Sequence, residues 1–243
     1  MRAQTPSPVR RLLGRRLGAV SGAGPDVEDA VRVAAELAAS GVTVALEHVP
    51  PAGSADPGAE LRRLVDRVAG AGLASSCELT VPVDRLGAAA AAVAEAARDA
   101  GLGVAFEGAP DAVAPLARHH PGAAVVVAAD RPGAEQRCRE LADGRVRLTE
   151  GRGTAADLAF VRCLTVLMAG AGHPSIGTTD PRLVAITGER AAWNERAPES
   201  WEYVMPWKVR TGQQRRLVAG GYRVRVVLRS GPATPALRPA GRS

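Results

Sequence analysis

A (β/α)8 barrel is the fold this sequence predicts, and three observations predict it. Eight short apolar, β-branched runs recur along the chain, segments with the period of amphipathic helices separate them, and a length of 243 residues matches the roughly 250 of such a barrel. Strands alternating with helices must pair in parallel through right-handed crossovers, which closes one α/β barrel more economically than two separate units.

Taken in order, the strands are expected at 42–49 ("VTVALEHV"), 77–83 ("CELTVPV"), 102–107, 123–129, 145–149, 175–179, 200–205 and 222–228. An extra helix over 26–40 precedes the first strand, and helical periods follow over 59–72, 87–101, 111–120, 134–144 and 157–172, most of them stopping at glycine. At "SIGTTDPRL" a strand runs straight into a helix, with Asp180 placed to cap it and Pro181 at the first helical position, where no backbone N–H is needed. After the last strand, "RSGPATPALRPAGRS" is too rich in Pro and Gly for a closing helix. The barrel is therefore expected to be incomplete at its C-terminus, with an open edge beside the last strand. Residues 1–243 read as one domain, with 1–25 and 229–243 poorly ordered. The basic start "TPSPVRRLLGRR" reads as a frayed terminus, with peripheral membrane contact as its other reading.

Composition narrows the function. Cys77, Cys138 and Cys163 are widely spaced, which argues against a disulfide framework or a zinc site and for a reducing cytoplasm. No apolar run reaches the length of a transmembrane span, and the start lacks the apolar core of a secretory signal. A net charge of +6 raises nucleic acid as a partner, but of 31 basic residues only Lys208 is a lysine. The arginines are interleaved with Asp and Glu, and aromatic rings for base stacking are scarce, so nucleic acid is not the expected partner.

Functional residues of such barrels gather at the C-terminal ends of the strands. The expected strands put Glu47, His48, Glu78, Glu107, Asp130, Arg131, Arg147, Glu150, Thr178 to Asp180, Glu202 and Met205 on or near that rim. Carboxylates there serve as acids or bases, and Arg147 suits an anion or an electron-rich ring; a solvated rim of ion pairs is the other reading. His48, His119 and His120 show no metal-ligand spacing, so no metal is expected, and His173, before Pro174, reads as a loop residue. There is no nucleophile elbow, P-loop or dinucleotide fingerprint.

"RVRLTEGRG", "FVRCLTVLMAGAGHPSIGTTDPRLVAI" and "SWEYVMPWKVRTGQQRRLVAGGYRVRVV" resemble, in order and spacing, segments of the flavin-dependent proline dehydrogenases of bacteria, of an actinobacterial type. That resemblance covers 145–227 most strongly and is collinear before it. It implies a (β/α)8 barrel holding FAD at the strands' C-terminal ends, oxidation of L-proline to pyrroline-5-carboxylate, and transfer of the electrons to a quinone. On the matching positions it implies a catalytic role for Arg147 and Glu107, and flavin contacts for Arg147, Thr149, Gly151, Thr178 and Thr179. Arg147 is then expected at the barrel mouth, neutralised by Glu107 when no flavin is bound. The chain departs from the family elsewhere. Glu78 and Glu150 stand where relatives carry lysines, Gly153 and Thr179 replace a tyrosine and a histidine, and Ala128 and Val204 replace glutamines. The family's Tyr-x-x-Arg-Arg pattern, a bidentate clamp for the proline carboxylate, has no counterpart in the closing segment. The resemblance thus implies a proline dehydrogenase-type barrel with its activity reduced or lost. The alternative is a non-catalytic barrel that binds another small molecule or a protein partner.

Overall fold

Successive residues of a strand face opposite ways, so in a closed barrel one set of side chains meets the helices and the other lines the bore. The sequence supplies two distinct sets. Val44 and Leu46, Leu79 and Val81, Val104 and Phe106, Val146 and Leu148, and Val226 and Leu228 are apolar, alternate along their strands and are fully or almost fully buried. They drive the sheet to wrap under a layer of helices.

The computed structural model describes residues 24, 26–50, 53–151 and 154–231. The elements run α1 (Val27–Ala39), β1 (Thr43–His48), α2 (Pro57–Gly70), β2 (Cys77–Pro82), α3 (Val83–Leu86), α4 (Ala89–Asp99), β3 (Gly103–Glu107) and α5 (Pro110–His119). They continue through β4 (Ala124–Ala128), α6 (Ala134–Glu140), β5 (Arg145–Thr149), α7 (Thr154–Ala169), β6 (His173–Gly177), α8 (Pro181–Trp193), β7 (Glu202–Pro206), α9 (Thr211–Ala219) and β8 (Val224–Ser230). All eight strands pair in parallel in sequence order and the barrel closes between β8 and β1.

That closure corrects the expectation of an open edge. β8 pairs with β1 along six residues, from Thr43 opposite Arg225 to His48 opposite Ser230, so Arg229 and Ser230 belong to the strand. Helix α1 covers the seam: it packs on both β1 and β8, with Val27, Ala30, Val33 and Ala34 buried. The helix before the first strand thus occupies the place beside β8 where a barrel's eighth helix would lie. The basic start, residues 1–23, and the Pro/Gly-rich segment 232–243 lie outside the described residues.

Caps fix the helix starts. Asp56 accepts from Ala59 N at 2.8 Å ahead of α2, and Asp180 accepts from Arg182 N at 2.8 Å ahead of α8, where Pro181 takes the first position. β6 begins and ends two residues earlier than the sequence predicts, so His173 is a strand residue, not a loop residue. Its N–H donates to Gly144 O at 2.8 Å, and Gly172 permits that approach, because a Cβ there would collide with the backbone of 143–144. β7 starts at Glu202 after a 3-10 turn, Pro198–Ser200.

Candidate active site

Inward-facing strand positions build the bore, and here they are charged. The apolar part of the bore is small: Ala45, Val204 and Val227 form a cluster separate from the main core. Around it runs a chain of ion pairs. Arg229 Nε donates to Glu47 Oε2 at 2.7 Å, and Glu47 Oε1 lies 3.8 Å from Arg147 Nη1. Arg147 Nη2 donates to Glu78, and Arg147 Nη1 to Thr80 Oγ1 at 2.9 Å. Glu78 Oε2 is 4.0 Å from Arg225 Nη1, and Arg225 Nε donates to Glu202 Oε1 at 2.8 Å, which also accepts from Ser175 Oγ at 2.7 Å. Glu78, Arg147, Glu202 and Arg225 are buried.

Three arginines therefore face three carboxylates, and pairing is what makes their burial tolerable. Burial acts to raise the Glu202 carboxyl, but the charge and hydrogen bond of Arg225, with the bond from Ser175, hold it below its ordinary value. Two polar atoms of this network, Arg147 Nε and Glu202 Oε2, are buried without a hydrogen-bond partner.

The side chain of Glu107, at the end of β3, has neither hydrogen bond nor ion pair among the described residues. Partial burial at the mouth, and then the negative charge of Glu47, push its carboxyl above the ordinary value, against the opposing pull of Arg229 and Arg147. A cavity of about 550 Å³ opens beside it at the C-terminal ends of β3, β4 and β5, and Thr149 and Arg131 line it as well.

The residues singled out from the sequence are thus divided. Arg147 lies inside the bore and is neutralised by Glu78, not by Glu107 as expected. The reason is register: Arg147 pairs opposite Val126 and Ser175, below the end of β5, level with a glutamate that faces the same bore. Glu107 and Thr149 line the side cavity. Thr178 Oγ1 and Thr179 Oγ1 donate to the two carboxylate oxygens of Glu150 at 2.5 and 3.0 Å, with Thr179 N adding a bond at 3.2 Å. Gly151 is pressed against Asp130, whose side chain a Cβ at 151 would strike. Glu202 is not on the rim: it opens β7 at the N-terminal end, deep in the bore. Glu78 likewise lies within the bore.

His48 has a role that ligand spacing did not reveal. Its Nδ1 shares a hydrogen bond with Ser230 Oγ at 2.8 Å and its Nε2 with Glu60 Oε1 at 2.9 Å, a buried clasp tying β1, β8 and α2 together. The signal was available in part, since His48 ends the first strand and Ser230 stands two residues beyond the eighth apolar run. Only barrel closure makes them neighbours.

Arg147, Thr178 and Thr179 do not fit a flavin in the manner the resemblance implies: the guanidinium of Arg147 is already held by Glu78 and Thr80, and the hydroxyls of Thr178 and Thr179 are taken by Glu150. Among the described residues no three His, Cys, Asp or Glu side chains converge on a point where a metal ion would sit. Nor is any described helix long and apolar enough to cross a membrane.

No protein-family model and no curated protein matches the sequence. Solved structures do match in fold. Proline utilization A (PutA) from Bdellovibrio bacteriovorus, inactivated by N-propargylglycine, superposes with a TM-score of 0.76 at 13% identity, over 87% of this chain and 30% of that one. PutA from Corynebacterium freiburgense gives 0.66 at 13% identity, over 94% and 32%, and a mutant of Bradyrhizobium japonicum PutA gives 0.65 at 14%, over 95% and 33%. The chain spans about a third of the length of these structures. At such identities the likeness is one of fold.

Proposed function

We propose that this chain is a divergent proline dehydrogenase-type barrel in which FAD-dependent oxidation of L-proline is reduced or lost. The fold neighbours and the motif resemblance support the lineage; the pairing of Arg147 with Glu78 inside the bore carries the loss. An arginine free to meet an electron-rich ring or an anion would need its charge exposed to the mouth. Arg147 is 1% exposed and bonded to two partners. Glu150 adds negative charge beside Thr178 and Thr179, which the resemblance places at the flavin.

L-proline and a quinone would be the reactants of the intact chemistry, and three free, buried cysteines suit a reducing cytoplasm. The alternative, a non-catalytic barrel that binds another small molecule, is favoured by one observation, the cavity beside Glu107.

Flavin absorbance of the purified chain, followed by proline-dependent dye reduction with added FAD, tests the reading. Substoichiometric flavin and dye reduction at least about a hundredfold below an intact relative are expected, since hydrogen bonds to charged groups are each worth about 1.5–3 kcal/mol. One flavin per chain with brisk proline-dependent reduction overturns it.

A further inference from the structure

The cavity at the ends of β3, β4 and β5 carries both signs of charge in its lining. Glu107 and Asp84 stand on the β2 and β3 side, Arg131 and Arg137 on the loop after β4 and on α6, and Val113 and Val125 supply apolar wall between them. Asp84 is engaged by Ala109 N at 3.0 Å, and Arg137 lies 3.5 Å from Glu140. The side chains of Glu107 and Arg131, by contrast, have no hydrogen-bond or ion-pair partner among the described residues, and no ion pair crosses the cavity. Its volume of about 550 Å³ lies in the range of small-molecule sites, and a mostly apolar wall with a few unpaired polar groups is the usual make-up of such sites.

We propose that this cavity binds a small dipolar molecule, with a cationic amine against Glu107 and an oxyanion, carboxylate or phosphate, against Arg131, the two charges held apart by an apolar chain. A purely anionic ligand would leave Glu107 facing it, and a purely cationic one would meet Arg131. The two side chains lie beyond ion-pair distance of each other, and the proposal assigns them to charges set apart along a chain, in contrast to the adjacent charges of an α-amino acid. The upward push on the Glu107 carboxyl, from partial burial first and then from Glu47 and Asp84, fits as well, since an arriving cation offsets it. The proposal rests on the second reading above, a barrel that binds another small molecule: Glu107 and Thr149 belong to the cavity wall and Arg147 does not.

Calorimetric titration of the full chain with 6-aminohexanoate and with 3-aminopropyl phosphate tests it, alongside hexylamine, hexanoate and L-norleucine. At least one of the first two is expected to bind, and whichever binds more tightly identifies the oxyanion. Both singly charged probes and norleucine should bind at least about tenfold more weakly. Glu107→Gln and Arg131→Gln should each weaken the dipolar probe at least about tenfold. Both residues are exposed, so neither substitution should lower the melting temperature. Absence of binding by both dipolar probes up to about 10 mM overturns the proposal. So does equal binding of hexylamine, hexanoate or norleucine, a comparison that needs no substitution, and so does binding that ignores both variants.

Discussion

The layer between strands and helices and the bore of the barrel are made from the same eight strands, residue by alternate residue, yet they are built on opposite principles. The outer layer is apolar and close-packed, with Leu46, Leu79, Leu148, Leu164 and Phe160 fully buried among other hydrocarbon side chains. The bore holds Glu47, Glu78, Glu202, Arg147, Arg225 and Arg229 around three small apolar residues. In the outer layer any side chain of suitable size contributes area, and loss is graded. In the bore each charge depends on a particular partner, and loss is abrupt. A bore whose arginines are balanced by its own carboxylates has little free positive charge with which to hold an anion.

Substitutions can break this contrast, beginning with the largest effect. Glu78→Ala leaves Arg147 buried without its main carboxylate, and chemical denaturation should show a loss of about 3–5 kcal/mol. Acid should act on the bore next. The carboxyl of Glu202 is held below its ordinary value of 4.5, so its contribution is present above that pH and is lost as pH falls through the lower folded value. Unfolding followed from pH 6 down to 3 should therefore show a decline that Glu202→Gln flattens. In the outer layer, Ile176→Val should cost only about 1 kcal/mol in the same denaturation assay, because the site gives up one methyl among many contacts. The smallest effect belongs to the mouth. The Glu107 carboxyl is raised, so stability is present at low pH and declines as pH rises through its folded value. Glu107→Gln should slightly raise the melting temperature at pH 8 and change nothing at pH 4.

The same contrast explains how much was legible in the sequence. Apolar alternation marked all eight strands to within about two residues, because the outer layer reads from one chain segment at a time. β6 slipped by two residues because Pro174 and His173 look like loop chemistry, whereas the backbone carbonyl of Gly144 holds His173 in the strand. Glu78 and Glu202, placed on or near the rim from the sequence, stand at the starts of β2 and β7, the end away from the rim. Their partners Arg147 and Arg225 lie 69 and 23 residues away, and only the closed barrel brings them together. Helix α1 was legible as a helix, but its place over the seam between β1 and β8 was not, for the same reason. Asp180, by contrast, was readable, because a cap is decided within three residues.

The account stands on the pairing of Arg147 with Glu78, and a double-mutant cycle measures that pairing most directly. Arg147→Met, Glu78→Leu and the double variant are compared by equilibrium denaturation of the full chain. Each single variant should lose several kcal/mol while the double variant recovers much of that loss, giving a favourable coupling energy above about 1 kcal/mol. Losses that simply add, within about 0.5 kcal/mol, would show that Glu78 does not hold Arg147 and that the arginine's charge is free for a ligand at the mouth.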